Sequence, residues 1–391
     1  MNWWRTAGSV GGIVMALVAV SLCVDPLGWD EAVAWAEARE RSWRGANAEC
    51  PVLVGEGREG SSHAGYAAAV ALLHAAGPDI VARVTEVASG GADAELLQAV
   101  APAVAALRDA AQRCGGPHTW PAADLEPDAS AALVDVLPLV DALRATARAQ
   151  AAAGDADAAL RCLADGVAVG VDLAHSMIPI EQMLGVLGLD RVLATCDDAL
   201  LASAGADALQ TFAAALAAAD AVLPPVSRIL GDDVAAFALS LERHANWAAH
   251  HVGLPTSLLA WQSGFSVRRL AMQRAARAIA VVARFEAATR ANEGWQRRRA
   301  RLVALAEELR TELRPLPAAF VDHFVAHEER YDEVRTQLRL LRLAVAWRAG
   351  AASPELADPF GDAPLRVIPT ADGVVFASER DGLQRAAFGD R

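Results

Sequence analysis

The chain has 391 residues, 54% of them hydrophobic but only 5% aromatic, and a formal net charge of −13. Much of that apolar content is alanine, which favours helices packed closely together, over a length sufficient for two or three domains or one extended helical array. All 35 basic residues are arginine, so a Gly-Lys-Ser/Thr phosphate loop, a Schiff-base lysine and a kinase-type lysine are excluded, each needing an ε-amino group.

Residues 7–24, AGSVGGIVMALVAVSLCV, form an uncharged run with Arg5 on its leading side. Its length matches a bilayer crossing, and the pattern is that of an exported amino terminus, retained as an anchor or cleaved after the small residues Ala19 and Ser21. The run continues past that site through Cys23 and Val24, which favours an anchor over residues 1–26. The expectation is a single-pass inner-membrane protein contacting the bilayer through residues 7–24, with its body in the periplasm. Trp29, Trp35 and Trp43 lie next, on an amphipathic segment over 27–43, and suit a membrane interface.

In an oxidising compartment Cys50, Cys114, Cys162 and Cys196 are candidates for two disulfides. Their order suggests pairs 50–114 and 162–196, three connectivities being open, and buried free thiols are the alternative. No CxxC pair is present, which argues against thiol exchange and structural zinc.

Residues 27–353 read as a helical domain. Apolar periodicity predicts helices over about 62–76, 79–88, 92–113, 129–152, 156–175, 179–203, 206–222, 232–251, 256–313 with breaks, and 317–349. Gly115-Gly116-Pro117 and Pro224-Pro225 stop helices, Pro138 and Pro179 kink or restart them, and Asp155 and Asp232 stand where each could cap the next helix. The turn at Gly154-Asp155 resembles the inter-helix turn of tetratricopeptide repeats, but no second copy recurs at that period, so a hairpin array is expected and a repeat solenoid is not.

Charge is uneven along this domain. Residues 268–348 carry 17 Arg against 10 acids, while the remainder is strongly acidic. This predicts either internal complementarity, an acidic partner surface, or simply solvated helix faces, and the glutamates interrupting the arginine run favour the last. Few aromatics are interleaved, so no nucleic-acid partner is expected.

Within this stretch His323 and His327 stand four apart with Glu328 beside them, a spacing that puts two imidazoles on one helix face with a carboxylate near. A metal-dependent hydrolase using His323, His327 and Glu328 or Glu329 is the enzymatic alternative. The zinc-protease pattern HExxH is not met, because Phe324 stands directly after the first histidine. A second group, Glu242, His244, His250 and His251, reads better as a partly buried histidine pair. No catalytic residue set and no cofactor are predicted.

Residues 354–391 break the helical pattern. Asp358-Pro359-Phe360-Gly361 leads into two apolar runs, 364–368 and 374–378, around Asp372-Gly373, which predicts a β-hairpin whose Val367, Val374 and Phe376 pack on the last long helix. In this order the tail resembles the carboxyl-terminal tail of type II secretion major pseudopilins. That resemblance implies a small sheet opened by Asp358, Pro359, Phe360 and Gly361 and a calcium loop, to which Asp381 and Asp390 could contribute oxygens. Glu379-Arg380 stands where the family has a glycine, and the amino-terminal apolar run lacks the family's glutamate. In organisation the chain resembles a set of uncharacterised bacterial membrane-anchored helical envelope proteins ending in such a hairpin. The expected architecture is an all-α antiparallel hairpin array behind one transmembrane helix, with a small β-hairpin at its end. The expected function is a non-catalytic scaffold or interaction module of the envelope, with another envelope protein as partner.

Overall fold

A computed structural model describes residues 29–48, 62–87, 93–113, 135–175, 179–225, 276–289, 295–313 and 319–388, with isolated positions between 228 and 272. Eleven bounded helices are described in chain order: α1 Trp29–Ala48, α2 Ser62–Ala75, α3 Pro78–Val87, α4 Ala94–Ala111, α5 Val136–Ala152, α6 Ala156–Ala174, α7 Pro179–Thr195, α8 Asp198–Ser203, α9 Ala206–Val222, α10 Trp295–Leu313 and α11 Ala319–Arg348. Residues 276–289 are also helical. Three strands complete the chain, β1 Arg366–Thr370, β2 Gly373–Ala377 and β3 Gln384–Phe388, in one antiparallel sheet ordered β1-β2-β3.

The local punctuation acts as the sequence predicts at most boundaries. Asp155 accepts a hydrogen bond from the Ala158 amide and caps α6. Just before it, Gly154 adopts φ +85° while the Asp155 and Gly154 amides donate back to the Gln150 and Ala151 carbonyls. This is a Schellman close of α5, which needs a residue at ease in the left-handed region. The predicted helix over 179–203 is instead two, because Asp197 turns extended and its carboxylate accepts from the Leu200 amide, starting α8. Asp232 is no cap: it is buried and paired with Arg39 at 2.5 Å.

Helix α6 is the hub. It packs against α4, α5, α7, α8 and α9, and buried residues run round its whole circumference from Ala156 to Ala174, as a helix apolar on every side must be placed. Small residues set the spacing. A Cβ on Gly185 of α7 would lie 2.4 Å from the Ala174 amide nitrogen and 2.6 Å from the Gly170 carbonyl oxygen. The two backbones touch there, which gains dispersion contact that a larger residue would prevent.

Several buried polar groups of this core are paired. Arg108 meets Asp165 at 2.5 Å, and Asp141 joins Arg144 at 2.7 Å to Arg191 at 2.5 Å. Tyr66 donates to Asp172 at 2.6 Å, and burial raises the Asp172 carboxyl to about 7 against that hydrogen bond. His175, lowered to about 4 by burial, donates through Nε2 to the Val222 carbonyl.

Some expectations change and others fall outside the described residues. The 7–24 segment lies outside the described residues, and among those described no single helix is long and apolar enough to cross a membrane. Trp29 is core rather than interfacial, being buried with its indole N–H on Glu242 at 2.9 Å. Arg39 lies over the Trp35 ring. Cys162 and Cys196 are separate buried thiols, so the 162–196 disulfide is absent, and burial pushes both up to about 12. Cys50 and Cys114 lie outside the described residues.

Candidate functional site

The Asp358-Pro359-Phe360-Gly361 motif forms a knot between the helical body and the sheet. The Gly361 amide donates to the Asp358 carbonyl at 3.2 Å and the Phe360 amide to the Asp358 carboxylate at 3.0 Å. Asp first, Pro second and Gly fourth is the composition of a type I turn, and Phe360 takes no positive φ, as that type requires. The Asp358 carboxylate then reaches across to the far end of β2, accepting from Ser378 Oγ at 2.8–2.9 Å and from the Glu379 amide at 2.6 Å. Asp358 and Ser378 are both buried, so each hydrogen bond is made where losing it leaves a group unsatisfied.

The knot is fastened to the last two helices. Phe360 is buried and meets the Trp295 ring of α10 edge-on, with centroids 5.2 Å apart, while Arg380 covers its other side at 5.1 Å. Arg380 also pairs with Glu329 at 2.6 Å and Glu333 at 3.1 Å on α11. Arg298 of α10 bonds Asp332 and donates to the Pro359 carbonyl, and Arg339 donates to the Ala357 carbonyl at 2.7 Å. Buried Val374 and Phe376 of β2 and Ala387 of β3 complete the seat on α11. Val367 is a correction: it is 48% exposed, because β1 is the outer strand and lies beyond the reach of the helix.

The same helix binds the acidic body through its arginines. Arg335, Arg339 and Arg342, at helical spacings of four and three, converge on the single buried carboxylate of Asp220 in α9. Arg330 meets Asp190 at 2.5 Å and Arg348 meets Asp198 at 2.6 Å. Internal complementarity therefore accounts for much of the basic stretch, where solvated faces were expected.

Under the knot lies a buried polar cluster. Glu328, Tyr331 and Asp332 share the inner face of α11, 4%, 3% and 7% exposed. Among the described residues Glu328 Oε2, Tyr331 Oη and Arg298 Nε have no hydrogen-bond partner. Burial, reinforced by the Asp332 charge, raises Glu328 to about 8, and burial raises Asp332 to about 6 against the pull of Arg298. Glu328 thus holds a proton at neutral pH.

Of the predicted metal group, His323, His327 and Glu328, only the His327 and Glu328 side chains are described. Consecutive helix positions diverge by about 100°, so burying Glu328 turns it away from the half-buried His327. The side chain of His323 lies outside the described set, as do His244, His250 and His251. Asp381 is exposed on the turn before β3, and Asp390 lies outside the described residues. Among the described residues no group of three His, Cys, Asp or Glu side chains is placed to hold a metal ion. Sequence reasoning missed Arg298, Trp295 and Arg380 as partners of the motif, the first two being about sixty residues away from it. Asp220 carried no local signal at all. No family model, curated protein or solved structure matches this chain.

Proposed function

We propose that the protein is a non-catalytic interaction module of the cell envelope, anchored through residues 7–24, which presents its C-terminal sheet to a partner protein. One observation supports this above the rest. The tail spends its polar and aromatic groups on fixing the sheet to α10 and α11, yet Ile368 and Phe388 stay 41% and 53% exposed. The register puts Ile368, Val375 and Ala386 across from one another, with Phe388 on the same outer face. Rigid apolar surface held in water is costly and marks contact sites. Pro369 on the outer strand withholds a backbone donor, which disfavours strand addition and favours contact through side chains.

The test is in-cell crosslinking from position 368 in the full chain, compared with Phe388→Glu and with removal of residues 354–391. The expected result is a discrete envelope-protein adduct that both changes abolish. The same adducts with and without the tail would refute the proposal.

A further inference from the structure

Where β3 lies on α11, a cavity of about 370 Å³ opens between the α7–α8 junction, α11 and residues 382–386. That volume is within the range of small-molecule sites. Leu193, Leu340 and Leu383 give it an apolar wall, and Asp197 and Arg385 line it too. Arg385 shares its sheet face with buried Phe376, so its stem points under the sheet rather than out to water. Its guanidinium makes no hydrogen bond or ion pair among the described residues. Burial lowers its pKa, opposed by the nearby Cys196, Asp197 and Asp198. A cation held this way lacks the anionic oxygens that a guanidinium fork is shaped to receive.

The two acids differ in what they have left to offer. Asp198 is committed through both oxygens, to Arg348 and to the Phe388 amide. Asp197, exposed at the cavity rim, uses one oxygen to accept from the Leu200 amide at 2.8 Å, and its second makes no bond among the described residues. The cavity therefore carries one unmatched positive group and one half-free negative group, not paired with each other, beside an apolar wall.

We propose that this cavity binds a free α-amino acid with a small or medium apolar side chain. Its carboxylate sits on Arg385, its ammonium on the second oxygen of Asp197, and its side chain on the leucine wall. A simple carboxylate would engage Arg385 alone, and a simple amine Asp197 alone. A zwitterion engages both. The site goes beyond the proposed partner contact and is independent of it, since Ile368 lies on the opposite face of the sheet.

Calorimetric titration of the purified full chain with L-alanine, L-valine and L-leucine tests this, with propionate and isobutylamine as controls. Saturable binding is expected for at least one amino acid, with both controls about tenfold weaker or worse. Arg385→Gln and Asp197→Asn should each weaken binding about tenfold or more. Asparagine caps a helix as well as aspartate does, so Asp197→Asn reports the charge while thermal unfolding without ligand stays unchanged. No saturable binding by the unaltered protein would overturn the assignment. So would propionate binding as well as the amino acids, or equal affinity in both variants.

Discussion

The helical hub around α6 and the C-terminal third around α11 are both well buried, but different forces hold them. Around α6 most contacts are between small apolar residues, with Gly185 letting two backbones touch and only Asp165 and Asp172 bringing buried charge-bearing groups from the helix. Around α11 the contacts are arginines closing on carboxylates and an aromatic pair, Phe360 and Trp295, each ring covered by one guanidinium. Packing of the first kind is indifferent to salt and pH and intolerant of added volume. Ion pairs of the second kind tolerate volume but not the loss of one partner, and they respond to ionisation.

The largest effect expected is from Asp220→Ala. It leaves Arg335, Arg339 and Arg342 facing one another without their shared anion, and should cost about 4 kcal/mol in denaturant unfolding. Gly185→Ala strikes the other region. Its methyl would overlap backbone atoms that cannot rotate away, for a loss of about 3 kcal/mol that is the same at low and high salt. A salt dependence as steep for Gly185→Ala as for Asp220→Ala would erase the distinction.

The pH response sharpens it. Glu328 is raised to about 8 from an ordinary value near 4.5, so the folded state binds this proton more tightly than the unfolded chain. Its contribution is intact below about pH 4.5 and is lost as pH rises through 8. Glu328→Gln should leave the melting midpoint nearly unchanged at pH 5 and raise it by about 2–4 °C at pH 8. Equal shifts at both values would show that Glu328 is ionised in the fold. The smallest effect belongs to Arg284→Ala, whose pairing with Glu308 is about half exposed on both sides; it should change stability by less than about 0.5 kcal/mol.

The elements held by local rules were the legible ones. Gly154, Asp155, Pro179 and Pro224 act within a turn of where they stand, so α6 and α9, the end of α5 and the start of α7 could be placed from sequence alone. The turn between β1 and β2 was likewise readable, although its two loop residues are Ala371 and Asp372 rather than Asp372 and Gly373. Gly373 opens β2 because a Cβ there would come within 2.1 Å of the Ala387 carbonyl oxygen. β3 was not legible. Gln384–Phe388 has no β-branched residue, and it is a strand because it pairs with β2 and covers α11. Of the site, Asp358, Pro359, Phe360 and Gly361 stood out as a motif, but their partners did not. Arg339 and Asp220 are 119 residues apart, and the contact exists only once α9 and α11 are packed.

The most direct test of this account is amide hydrogen exchange on the full chain with and without Asp358→Ala. Asp358 alone links the turn, Ser378 and Glu379, so its loss should free the sheet while the hub stays closed. The account predicts exchange at least about tenfold faster across residues 366–388, with α6 over 156–174 unchanged. Equal acceleration in both regions, or protection of the sheet undiminished, would contradict it.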